Sequence, residues 1–137
     1  MGAEAMSAGS NGTRDGRLTK HLFIVDDDMA LLRLLRLIFE DAGYSIRTYA
    51  DARAALGDID KEDPDAVVLD LEMPGMNGRE FYRALRQQGS DTPVLILSAY
   101  GARAAHTELG AQGYLDKPFD PDQLVETLKQ LIEKNPT

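Results

Sequence analysis

The 137-residue chain contains no cysteine, which excludes disulfides and thiolate metal centres. No stretch approaches the roughly 20 consecutive apolar residues needed to span a bilayer. Residues 1–17 also lack the hydrophobic centre of a secretory signal. These absences point to the cytoplasm and make the Asn11-Gly12-Thr13 glycosylation sequon a chance match. Bases are scarce as well, with 15 Lys and Arg against 23 Asp and Glu and a net charge of −8. Residues 21–137 carry 12 bases against 21 acids, a balance that argues against direct nucleic-acid binding, which needs clustered Lys and Arg. With 43% apolar residues, the chain can build one ordinary core and is too short for two typical domains. There is no internal repeat.

What is present is a set of short apolar runs that alternate with helical patterns. Residues 1–19 are rich in Gly, Ala, Ser and Asn without apolar periodicity and read as a disordered tail or expression remnant. A single domain is expected over 20–137. Leu22-Phe23-Ile24-Val25 and Ala66-Val67-Val68-Leu69 read as strands covered on both faces, and Val94 to Leu97 as a third such strand, ending on Ser98. Ser45 to Tyr49 and Gly113 to Leu115 complete five. Between them, Leu31, Leu34, Leu35 and Ile38 recur at helical spacing over about Met29 to Ala42, with Gly43 as the stop. Further helices are predicted from about Asp51 to Asp60, from a cap at Asn77 to about Gln88, around Ala102 to Leu109, and from near Pro121, where Leu124, Leu128, Leu131 and Ile132 share a face. Such alternation implies an α/β fold with a parallel sheet, right-handed crossovers and helices on both faces.

The chemistry gathers where strands end. Asp26, Asp27 and Asp28 follow the first apolar run, and Asp70 ends the second. Carboxyl ends of parallel strands are where open α/β sheets place their ligands. At about 4 Å and an effective dielectric near 20, each pair of like charges repels by about 4 kcal/mol, so the cluster requires raised pKa values or a divalent cation. Hard oxygen donors suit magnesium or calcium rather than zinc. Asp28 is expected only to cap the following helix. His21 and His106 lack ligand spacing and are expected to be structural, and Met73 and Met76 to pack within their loop.

Val25-Asp26-Asp27, the segment Leu69-Asp70-Leu71-Glu72-Met73-Pro74-Gly75-Met76-Asn77-Gly78, Ser98-Ala99 and Lys117-Pro118-Phe119 occur in this order at strand ends. Together they resemble the receiver domain of two-component response regulators over about residues 20–134. The resemblance implies a flavodoxin-like, doubly wound five-stranded sheet of order 2-1-3-4-5. It also implies a signalling switch of a two-component phosphorelay, not an enzyme beyond its own phosphotransfer and autodephosphorylation. Asp70 would be the phosphoacceptor, served by a sensor histidine kinase or histidine phosphotransfer protein. Asp26, Asp27, Asp70 and the backbone carbonyl of Glu72 would hold Mg2+ or another divalent cation such as Mn2+. Lys117 would pair with Asp70 and then with a phosphoryl oxygen, and Ser98 would donate its hydroxyl to another. Ser98 and Tyr114 would form the switch, Glu72 and Tyr100 would tune dephosphorylation, and the Lys117-Pro118 bond would be cis. A downstream output protein or domain is implied, without membrane contact.

Two features depart from the family pattern. Ser98 and Lys117 stand 19 positions apart, about three fewer than is usual and nearly one helical turn. Gln112-Gly113 stands where many transcription-factor receivers carry acidic residues of a dimer network. Both predict an isolated domain that stays monomeric. The Glu72 side chain is left three options: repulsion of the phosphoryl group, a bond to Lys117, or solvent. A receiver-like module that works without phosphate is the main alternative. A metal-dependent aspartyl-phosphate phosphatase fits less well, because its nucleophile ends the first strand in an Asp-x-Asp pattern followed by Thr or Val and its site needs a cap. A flavodoxin would require a hydroxyl- and glycine-rich loop where this chain places three carboxylates.

Overall fold

In the computed structural model, which describes residues 19–72, 78–99 and 111–134, alternate residues of each central strand feed two separate cores. The strands are β1 (His21–Val25), β2 (Ser45–Tyr49), β3 (Ala66–Asp70), β4 (Val94–Ser98) and β5 (Gly113–Asp116). They form one parallel sheet in the order β2-β1-β3-β4-β5, as the sequence leads one to expect. Four helices lie among the described residues: α1 (Met29–Asp41), α2 (Ala52–Glu62), α3 (Gly78–Gln87) and α4 (Pro121–Lys134). The helix expected at 102–109 and the Asn77 cap fall outside the described residues.

Period-two alternation sends Leu22 and Ile24 of β1, Ala66 and Val68 of β3, and Leu95 and Leu97 of β4 to one face. There they meet Leu32, Leu35 and Phe39 of α1 and Leu124, Leu128 and Leu131 of α4. Their neighbours Phe23, Val25, Val67, Leu69, Val94 and Ile96 face the other way, against Ala55 and Ile59 of α2 and Phe81 and Leu85 of α3. Each fully buried Leu, Ile or Phe side chain contributes about 1.5–3 kcal/mol, so the three central strands are held from both sides. No helix among the described residues is long and apolar enough to cross a membrane.

Helix boundaries follow local chemistry. Asp28 Oδ1 accepts from the N–H groups of Ala30 at 3.0 Å and Leu31 at 3.1 Å, the expected cap of α1. At its other end Gly43, with φ of +100°, turns the chain, and the N–H groups of Gly43 and Tyr44 return to Glu40 and Phe39 carbonyls. α2 runs two residues beyond the expected Asp60. Asp63, at φ 46°, supplies the left-handed stop and donates its N–H to the Ile59 carbonyl.

Candidate functional site

The sheet's hydrogen-bond ladder continues past the strand ends and fixes the level at which the site residues emerge. Asp26 N–H donates to the Tyr49 carbonyl at 3.0 Å, Leu71 N–H to Leu97 at 3.1 Å and Lys117 N–H to Ser98 at 2.9 Å. Asp26, Asp70, Ser98 and Lys117 therefore surface along one edge, although they are far apart in the chain. The start of α3 closes tightly on this edge. A Cβ on Gly78 would lie 2.7 Å from the Asp70 carbonyl oxygen and 2.7 Å from Leu71 Cα, so only glycine fits without displacing backbone.

Asp26 and Asp70 are 1% and 3% exposed. One oxygen from each of Asp26, Asp27 and Asp70 falls within 4.8 Å of the others. Asp26 Oδ1 accepts the Asp28 N–H at 3.0 Å, while its Oδ2 is buried without a hydrogen-bond partner. Burial is the largest influence on this carboxyl. Together with the neighbouring Asp70 charge, it outweighs the Asp28 hydrogen bond and pushes the pKa up to about 7. An orphaned buried oxygen beside two further carboxylates is the donor set a hard divalent cation takes, and Asp27, exposed at the surface, leaves a way in.

On the other side, Lys117 Nζ donates to Asp70 Oδ1 at 2.9 Å. Partial burial pulls the ammonium pKa down, but the Asp70 hydrogen bond and the charges of Asp70, Asp26 and Glu72 more than offset this, and the net shift is upward. The same Asp70 oxygen accepts the Glu72 N–H at 3.2 Å. The Lys117-Pro118 bond is cis. Tyr114 on β5 is partly buried and packs against the α2/α3 core.

Glu72 is exposed, yet its carboxylate bonds the protein rather than Lys117. Its carboxylate reaches across to the end of β4, where Oε1 accepts the Ala99 N–H at 3.0 Å and Oε2 accepts the Ser98 hydroxyl. This contact and the Ala99 amide were not legible in the sequence, because they depend on the rotamer by which Glu72 spans from β3 to β4. Tyr100, Met73, Met76 and His106 lie outside the described residues. At the opposite end of the sheet, Gln112 is turned inward. Its Oε1 accepts the Val94 N–H at 2.9 Å and an Arg86 guanidinium N–H at 3.2 Å.

The strand order defines a flavodoxin-like fold with an acidic carboxyl edge, and comparison with known proteins agrees. Residues 22–129 match the family model of the response regulator receiver domain, and the chain belongs to that family. It is 40% identical over 116 residues to the response regulator MprA of Mycolicibacterium vanbaalenii, covering 82% of this chain and 50% of that protein. It is 40% identical over 118 residues to the transcriptional regulatory protein TcrA of Mycobacterium tuberculosis, covering 84% and 47%. The chain thus spans about half the length of these curated relatives. Among solved structures, a response regulator from Chloroflexus aurantiacus superposes with a TM-score of 0.78 at 38% identity, covering 84% of this chain and 98% of that one. The chemotaxis protein CheY4 of Vibrio cholerae gives 0.76 at 34% identity, covering 82% and 98%.

Proposed function

We propose that this domain is a phosphorylation-driven switch in which Asp70 accepts a phosphoryl group from a histidine of a sensor kinase or phosphotransfer protein. The observation that carries the reading is the position of the Asp70 carboxylate. It is buried between the Asp26/Asp27 pair on one side and the Lys117 ammonium on the other. An Asp70 oxygen attacks phosphorus in line, the P–N bond of the phosphohistidine breaks, and its electron pair leaves with the imidazole. The product is an acyl phosphate.

The domain's task is to hold extra negative charge at an edge that is already acidic. Asp26, Asp27, Asp70 and the Glu72 backbone carbonyl would hold a Mg2+ or Mn2+ ion, which would supply positive charge to offset the carboxylates and the incoming phosphoryl group. Lys117 supplies a mobile cation that releases Asp70 Oδ1 and follows the transferred group. Ser98 Oγ supplies a further donor, and its movement is passed to Tyr114 on the adjacent strand, which changes the face offered to a downstream protein or domain. This is signalling in the cytoplasm rather than turnover of a substrate. The acidic balance keeps this domain itself off nucleic acid, and any transcriptional output belongs to other parts of a longer protein or to a partner.

Incubation of the 137-residue chain with acetyl phosphate or phosphoramidate is expected to add one phosphoryl group, mapped by mass spectrometry to Asp70. The addition should be lost in Asp70→Asn and on chelation of divalent cations. Labelling at another residue, or labelling undiminished by chelator, would refute the assignment. Absence of any labelling in the wild type would favour an interaction module that works without phosphate.

A further inference from the structure

Glu72 stands two residues after Asp70, with its N–H tied to the Asp70 carboxylate. From there its side chain spans the gap to β4 and uses both oxygens at once, one on the Ser98 hydroxyl and one on the Ala99 N–H. These donors lie at the end of the strand paired with β3, where Asp70 stands opposite Leu97. A group transferred to Asp70 would bring three acceptor oxygens to this neighbourhood, where the Ser98 hydroxyl and the Ala99 N–H are neutral donors. The planar carboxylate of Glu72 presents two oxygens and a negative charge to the same donors.

We infer that Glu72 is a built-in competitor for the phosphoryl oxygens, holding Ser98 Oγ and the Ala99 N–H in the unmodified protein and having to leave before β4 can close on a modified Asp70. The inference rests on Asp70 being the phosphoacceptor, as proposed above. A phosphoryl group carries about two negative charges and repels the carboxylate. Glu72 is exposed and can swing into water, so its departure needs no repacking of the core. Hydrogen bonds to an ionised acceptor are roughly twice as strong as neutral ones, so the occupied arrangement dominates before modification. If the competing arrangement holds about 90% of molecules, the apparent affinity for an activating ligand falls about tenfold. Glu72 thus sets a threshold: it keeps the unmodified domain from sampling the active arrangement of β4, and its side chain does so through Ser98 and Ala99 rather than through Asp70.

The test is a titration of the full chain with beryllofluoride, a stable phosphoryl mimic, at saturating Mg2+ for each variant, followed through the Ala99 and Tyr114 amide resonances. Glu72→Ala is expected to bind about 5- to 20-fold more tightly than wild type, and Glu72→Gln, which keeps an acceptor but not the charge, by an intermediate factor. The Ala99 amide should also shift in ligand-free Glu72→Ala. In a Ser98→Ala background the gain from Glu72→Ala should fall to less than half on a logarithmic scale, because one of the contested donors is gone. Unchanged or weaker binding by Glu72→Ala would overturn the inference while leaving the phosphoacceptor reading standing. So would a gain that persists in full without the Ser98 hydroxyl, since that would reflect charge removal alone. A wild-type chain that takes no beryllofluoride would overturn both.

Discussion

The two ends of this sheet are built from the same strands and both bury polar groups, yet they treat them oppositely. At the amino end, buried Asp65 Oδ2 accepts the His21 N–H at 2.8 Å, and the Asp65 N–H returns to the His21 carbonyl at 2.8 Å. Arg86 donates to the carbonyls of Ser90 and Thr92, both at 3.0 Å, reaches Gln112, and lies 4.6 Å over the Tyr82 ring. Buried Thr92 bonds Ser90 through both its N–H and its hydroxyl. Each group is matched, and the network stitches the turn before β4 to α3 and to the approach to β5. At the carboxyl end, three carboxylates crowd together, one oxygen of Asp26 is left unpartnered, and the only cation the described residues bring to Asp70 is Lys117. A fold tolerates one unsatisfied edge when the rest is satisfied. The contrast separates what holds this domain together from what it uses.

Exchanging damage between the two ends should therefore separate stability from chemistry. Asp70→Asn is expected to lower phosphoryl labelling below detection while leaving the urea midpoint unchanged or higher, since it removes a charge from the crowded edge. Lys117→Ala should retain Mg2+ binding but lose the coupled shifts of Ser98 and Tyr114 on beryllofluoride addition, read by amide resonances. Equal shifts in mutant and wild type would break this part of the comparison. Arg86→Ala, at the matched end, should cost about 2–3 kcal/mol in urea denaturation, because it strips donors from partly buried carbonyls. The folded fraction should still label at the wild-type rate.

Smaller effects sharpen the boundary between the ends. Gly78→Ala should destabilise by about 1–3 kcal/mol, through forced backbone displacement, and also slow labelling, because the atoms it would strike belong to Asp70 and Leu71. The smallest effect expected comes from Tyr49→Phe. The Tyr49 hydroxyl donates to Asp58 Oδ2 at 2.7 Å, and this bond lowers the Asp58 pKa below its ordinary 3.8. A depressed carboxyl pKa stabilises above the unfolded value and loses that contribution as pH falls through the folded one. The thermal midpoint of Tyr49→Phe should then sit slightly below wild type near neutrality and converge with it in acid, with labelling unaltered. A difference that widened in acid would contradict the assignment.

Much of this was legible in the chain because it depends on local pattern. Apolar runs of four residues marked the three central strands, and the acids that follow two of them had nowhere to emerge except the carboxyl edge. Asp26 and Asp70 were accessible for that reason, Ser98 and Lys117 as site residues through the family resemblance, and Asp28 as a cap because capping reaches only two or three residues. The boundary of α2 was missed by two residues, since the expected end at Asp60 took no account of a left-handed Asp63. What could not be read depends on neighbours chosen by topology and on rotamers. Arg86 meets Gln112 26 positions away, and Asp65 meets His21 44 positions away. Glu72 closes on Ser98 across adjacent strands. Gln112 was noticed only as a missing acid at a dimer surface, whereas its side chain serves the interior of its own fold.

The central claim, that the carboxyl edge is left unsatisfied in order to take a cation and a phosphoryl group, is tested most directly by the thermal midpoint of Asp26→Asn with and without Mg2+. Asparagine keeps an acceptor for the Asp28 N–H and replaces the unpartnered oxygen with a donor facing Asp70, so the metal-free variant should melt higher than the metal-free wild type. Wild type should gain stability with Mg2+, by about 2.7 kcal/mol at a hundredfold excess over the dissociation constant, and the variant should gain little. A variant that melts lower without metal, or that responds to Mg2+ as fully as wild type, would contradict the account.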